Sequence, residues 1–247
     1  MKKLILTIFA LAALSSAAIN AQDLVILHLN DTHSHIDPER SGKNAGHAGV
    51  IETAAYVDEV RAEFGKKNVL LLHAGDFSQG TSYFTEMNGE MEIAVLNSTG
   101  YDVVCLGNHE FDNGIEELRA NLEKSKSVLL SSNYDVASSG LKGLFKPYYI
   151  KKIGRRKVGF LALNVDPKSL ITEKNIAGVV WHDVIKVANE TAAMLKREKW
   201  YLGLLYAAVV CIAGSFLVQR GEIIDYEFAY TPKFYYEFYV VMTPFLR

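Results

Sequence analysis

Cysteine is nearly absent: Cys105 and Cys211 are the only two in 247 residues, and both sit in apolar runs. Two thiols cannot build a disulfide framework or a cysteine-rich metal centre, so both read as small buried hydrophobes. No cysteine lies near the N-terminal apolar segment, which argues against a lipoprotein anchor there. An excess of charge of one sign is also missing. The 26 Lys and Arg face 28 Asp and Glu, for a net charge of −2. Without a basic excess there is no footprint for a nucleic-acid polymer. A mononucleotide needs only a local pocket and stays open. Internal repeats and low-complexity linkers are lacking. Histidine stops early: the last of the seven is His182.

What is present is 49% hydrophobic residues, enough for one main core. Residues 1–22 have the make-up of an export signal. Lys2 and Lys3 form a basic start, residues 4–14 an apolar run, and Ser15 to Ala21 a stretch rich in small residues. The run is short for a membrane span. This reading makes the mature protein secreted, in the periplasm or cell envelope.

Residues 23–163 alternate short apolar runs with helical spacing. Strands are predicted at 23–29, 68–72, 102–106 and 127–131, and helices at 49–64, 86–98 and 114–124. A hairpin with a basic tip at Gly154, Arg155 and Arg156 follows, then an amphipathic helix over 184–199. Such alternation is what a layered α/β fold produces.

Three predicted strands run into polar strings: Asn30-Asp31-Thr32-His33, Gly75-Asp76-Phe77-Ser78, and Gly107-Asn108-His109-Glu110-Phe111-Asp112. In an open α/β sheet the carboxyl ends of neighbouring strands border one crevice. Asp oxygen, neutral His nitrogen and Asn carbonyl oxygen suit hard or borderline divalent metals. Asp31 and His33, two apart on an extended segment, can face the same way. Asp76 has two oxygens and could bridge two metals, which stand about 3.5–4 Å apart in such sites. Singly, Asp31 and Asp112 read as turn or cap residues, and Asn108 after Gly107 as a turn pair. Only the joint pattern is specific. His28 reads as a packed histidine, His73 and His182 as structural, and His35 and His47 as residues of a loop bordering the site.

The order Asp-x-His, Gly-Asp, Gly-Asn-His-Glu resembles the calcineurin-like metallophosphoesterases. The longer strings LHLNDTHSHI, GDFSQGTSYF and GNHEFDNG are similar to the secreted 5′-nucleotidase and UDP-sugar hydrolase branch. The likeness covers roughly residues 23–199. It implies an α/β fold, a β-sandwich flanked by helices, incomplete on its C-terminal side. It implies hydrolysis of nucleoside 5′-monophosphates or other small phosphate esters with two divalent cations such as zinc or manganese. Asp31 and His33 would hold one metal, Asn108 the second, and Asp76 would bridge. His109 would contact the phosphate, with Asp112 orienting it.

The family adds a Ser-His-Leu-Gly-like and a Gly-His-x-His-like or Gly-His-x-Gln-like segment, and this chain has no histidine after His182 to form them. The break falls at Lys199. Residues 200–218 carry no charge, and an aromatic tail runs to 247. Three accounts stand: a changed reading frame, which the abruptness favours; a membrane helix over 200–218; or a core strand or helix followed by a β tail. The segments are therefore 1–22 signal, 23–199 catalytic-type domain and 200–247 atypical tail. A nucleoside-binding domain would have to come from a separate domain or chain. A remnant of low activity is the alternative function.

Overall fold

The computed structural model describes residues 24–38, 40–42, 45–46, 49–153, 156–197, 201–206, 217–219, 222–223 and 239–243. The export-signal reading of residues 1–22 lies outside the described residues. So do Cys211, His47, the hairpin tip at 154–155 and residues 207–216.

The first sheet grows from apolar runs that need burial on both faces. Strand β1 (Leu24–Leu29) is buried along its whole length, as is β2 (Val69–His73). They pair in parallel, with Leu27 opposite Leu71. Strands β3 (Val103–Val104) and β4 (Val128–Leu129) continue the parallel order. Continuous apolar runs are what parallel strands covered on both faces require. The connecting helices are α1 (Val50–Phe64), α2 (Ser82–Met87), α3 (Glu90–Thr99) and α4 (Ile115–Leu122). The helix expected over 86–98 is instead two helices. Asn88 (φ 52°) and Gly89 (φ 97°) turn left-handed and end the first one. Asn-Gly is a turn pair that outweighs the helical spacing around it.

Alternation along β1 sets the layers. Val25, Leu27 and Leu29 pack with Val57, Val60, Ile93, Leu96, Leu118 and Leu122 of the helices. Leu24 and Ile26 face the other way and pack with Val158, Phe160 and Ala162. Those three lie on β7 (Arg156–Leu163), which follows the short β5 (Tyr134–Asp135) and β6 (Tyr149–Ile153). Strands β6 and β7 form the expected hairpin, in which Tyr149 pairs with Phe160. The other face of β7, through Leu161 and Leu163, packs with Leu195, Val184 and Val187. Helix α5 (Val184–Arg197) supplies these, after the short strand β8 (Val180–Trp181), which pairs with β5. Two sheets face to face with helices on both outer sides make a layered α/β sandwich. Fully burying each such side chain stabilises it by roughly 1.5–3 kcal/mol.

The tail contributes strands. Tyr201–Tyr206 forms β9, parallel to β7. β10 (Leu217–Gln219) and β11 (Glu222–Ile223) extend the second sheet to the order β11-β10-β9-β7-β6. β12 (Tyr239–Thr243) pairs antiparallel with β1 and gives the first sheet the order β12-β1-β2-β3-β4. This corrects one expectation. A membrane helix over 200–218 does not fit, since Tyr201–Tyr206 is extended and paired. Among the described residues, no helix is long and apolar enough to cross a membrane. Tail strands lie along β7 and β1 where the family likeness fades.

Candidate metal centre

The first three strands of the parallel set end at one edge, and their loops are stitched together there. The backbone N–H of Asp31 donates to Gly75 O at 3.0 Å, and that of His33 to Asp76 O at 3.0 Å. Asp31 (φ 52°), His33 (φ 44°), Ser34 (φ 60°) and Asp76 (φ 54°) all adopt the left-handed region. Each costs a non-glycine residue on the order of 1–3 kcal/mol unless its surroundings hold it, and such outliers cluster at functional sites. Two glycines allow the loops to touch. A Cβ at Gly75 (φ 100°) would collide with the Leu106–Gly107 backbone, and one at Gly107 with the Asp76 carboxylate.

The result is a cluster of donors. Ligand atoms of Asp31, His33 and Asp76 all lie within 4.8 Å of one another. His33 Nε2 stands 3.7 Å from Asp31 Oδ1. The His33 and His109 rings meet edge to face at 5.2 Å. His109 donates its backbone N–H to Asp76 Oδ1 at 2.9 Å, and its Nδ1 lies 2.9 Å from Asp112 Oδ2. Asn108 is buried, and its Oδ1 has no hydrogen-bond partner. A buried carbonyl oxygen left unpaired needs an explanation, and a cation beside Asp76 would provide one. The donor set, its spacing and this orphaned oxygen fit a divalent metal.

The charges are mutually perturbed. Burial pushes the Asp76 carboxyl up and the Asp31 charge adds to this, while the His109 N–H opposes it. For Asp31, partial burial acts upward, but hydrogen bonds with His33 and Asn30 prevail and the carboxyl ends below its ordinary value. His33 is raised, first by its hydrogen bond with Asp31 and then by the Asp76 charge, against burial. Carboxylates crowded this way want a positive partner.

All six predicted site residues thus come to one edge. His28 and His73 are buried, and burial lowers them to about 4 and about 3. His73 receives the Gly75 N–H on Nδ1 and meets Thr32 Oγ1 through Nε2 at 3.1 Å, so it supports the loops. His35 lines a cavity behind the first loop with Glu92, His73 and Tyr101. The backbone N–H of His182 donates to Asn133 O, far from the donors in role. Cys105 is fully buried and its thiol is pushed up.

Two residues escaped the sequence reading. Glu110 is buried and accepts backbone N–H groups from Asp76 (2.9 Å), Ser78 (3.0 Å) and Gly107 (2.5 Å). Burial, then the Asp76 charge, pushes its carboxyl up, while the three backbone N–H groups it accepts favour the ionised form. Its only sequence signal was its place in Gly-Asn-His-Glu. Asn164, after β7, donates Nδ2 to Leu106 O at 2.6 Å and accepts from Ser131 Oγ at 2.7 Å. Nothing in the surrounding sequence marked it.

A double-sheet sandwich with metal-capable carboxylates and imidazoles at one strand edge defines a metallophosphoesterase. The comparisons agree. The profile of the calcineurin-like phosphoesterases matches residues 24–201. The NAD 5′-nucleotidase of Haemophilus influenzae is 34% identical over 203 residues, covering 79% of this chain and 33% of that protein. The 5′-nucleotidase of Bos taurus is 40% identical over 166 residues, 63% of this chain and 29% of that one. The structure of the Haemophilus influenzae NAD nucleotidase superposes with TM-score 0.66 at 32% identity, covering 74% and 34%. A 5′-nucleotidase precursor from Thermus thermophilus gives TM-score 0.66 at 32% identity, covering 74% and 37%. The chain belongs to the calcineurin-like phosphoesterase family, and its relatives include 5′-nucleotidases. It spans about a third of the length of these relatives.

Proposed function

We propose that this chain is the metal-binding half of a phosphoester hydrolase acting on nucleoside 5′-monophosphates or closely similar small esters. The observation that carries this reading is the convergence of Asp31, His33 and Asp76 within 4.8 Å. Asp31 and His33 would hold one divalent cation, zinc or manganese in kind, Asn108 would hold a second, and Asp76 would lie between them. Bound cations of this type supply Lewis acidity, which acidifies water and neutralises phosphoryl oxygens.

The protein's own groups do the rest. Asp112 accepts from His109 Nδ1, which fixes the imidazole tautomer and leaves Nε2 for the phosphate. The Asp76 carboxylate is kept in place by the His109 N–H. The 5′-nucleotidase relatives support a nucleotide substrate. Base and sugar recognition would come from a further domain or chain. The Lys2–Lys3 and apolar start supports export to the periplasm or cell envelope.

A second reading has one observation in its favour. No histidine follows His182 in this sequence, and on this reading the centre lacks the later histidine ligands and activity is low. Phosphate release from AMP with added Mn²⁺ or Zn²⁺ decides between them. Metal-dependent release that disappears in Asp76→Ala supports hydrolysis. Equal release from both proteins, or none from either, leaves the low-activity reading.

A further inference from the structure

Glu110 does a job that neither the donor cluster nor the phosphate requires directly. Its carboxylate is buried, on the turn His109–Phe111 that follows β3. Oε2 accepts from Asp76 N at 2.9 Å and from Gly107 N at 2.5 Å, and Oε1 accepts from Ser78 N at 3.0 Å. Asp76 and Ser78 belong to the loop after β2, whereas Gly107 belongs to the loop after β3. The same two loops are also joined by the His109 N–H on Asp76 Oδ1 at 2.9 Å, so Glu110 is the carboxylate that gathers N–H groups from both loops. The first of these N–H groups belongs to Asp76 itself, and Gly107 directly precedes Asn108.

We propose that Glu110 is a positioning residue that clamps the second and third loops in one register, so that Asp76 and Asn108 can share a cation. A carboxylate receiving several backbone N–H groups gives charge-assisted bonds stronger than neutral ones. It also presents only acceptors, which is why an amide of the same size is a poor replacement: its NH₂ would face an N–H donor. The left-handed Asp76 conformation needs such over-determination to persist. A simple buried filler at this position would be apolar, because a buried carboxylate is costly unless its partners require it.

The inference rests on the metal reading of the site, and the test separates the two. Mn²⁺ binding by calorimetry and the visible spectrum of the Co²⁺-loaded protein are compared for wild type, Glu110→Gln and Leu122→Ala. Leu122 lies in the core between helices and sheet, so its truncation lowers stability without touching the loops. The clamp predicts that Glu110→Gln, at temperatures where it is folded by circular dichroism, binds Mn²⁺ about 10–100-fold more weakly. Its Co²⁺ spectrum should be altered, while Leu122→Ala keeps both wild-type values. Wild-type affinity and spectrum in folded Glu110→Gln would overturn the clamp alone. Equal loss in Leu122→Ala would do the same, by making the effect one of general stability. A wild type that takes up no metal would overturn the site reading and the clamp together. Should Glu110→Gln not fold, amide exchange in the wild type decides. The Asp76, Ser78 and Gly107 amides should exchange slowly and together, and scattered, loop-like rates would refute the clamp.

Discussion

The two sheets share one sandwich but end differently. In the first, β1, β2 and β3 run parallel, so their carboxyl ends meet at one edge and deliver Asp31, His33, Asp76, Asn108 and His109. In the second, β6 and β7 are antiparallel and their ends diverge, while β9 runs parallel to β7. Strand β7 does end beside the site, but it brings Asn164, whose side-chain groups are already taken by Leu106 and Ser131. One sheet therefore offers metal-capable side chains under backbone strain, and the other offers a satisfied brace. Parallel order gathers chemistry at an edge, and among the described residues the facing sheet serves as its support.

Four substitutions or titrations would break or sharpen this contrast. The largest effect belongs to the donor edge. Asp76→Ala should weaken Mn²⁺ binding on the order of 10³-fold, about 4 kcal/mol, since it removes a ligand and not merely a support. Calorimetry checks this, and a loss under tenfold would count against a bridging position.

The next concerns the buried histidines beneath that edge. His28 is held neutral by burial at about 4, against an ordinary 6.5. The unfolded chain binds that proton more readily, so this stability is fully present above pH 6.5 and is lost as pH falls toward 4. His28 alone should cost on the order of 3 kcal/mol by pH 4. His73, lowered to about 3, acts in the same direction. Denaturant melts at pH 7 and pH 4.5 would show it, and His28→Gln should flatten the slope.

Breaking the brace should cost less. Asn164→Ala strands the Leu106 carbonyl and the Ser131 hydroxyl, for about 1–3 kcal/mol of stability. Metal affinity should change much less than in Asp76→Ala. A comparable loss of affinity would mean that the second sheet belongs to the site proper. Smallest is Asp112→Asn, a half-exposed partner of His109. It should reduce phosphate release about tenfold through the wrong tautomer, with Mn²⁺ affinity unchanged.

Much of this was legible in the chain. The run at 23–29 reads as a strand, and β1 is there, buried throughout. The polar strings after the runs marked the donor edge, because charge directly after a buried strand must sit at its mouth. Other features depend on distant partners and left no local trace. Glu110 looks like any acidic residue in a turn until the Asp76 and Ser78 amides close on it from the preceding loop. The left-handed Asp31, His33 and Asp76 carry no glycine to announce them. The pairing of Leu24 with Thr243 joins the two ends of the described chain, which no short window can foresee.

The central claim is that a cation sits among Asp31, His33 and Asp76. Anomalous diffraction from crystals grown with Mn²⁺ addresses it most directly. The account predicts a manganese peak within bonding distance of all three side chains, and a second peak across Asp76 that the Asn108 oxygen faces. Manganese bound elsewhere in the crystal, with no peak among these three, would contradict it.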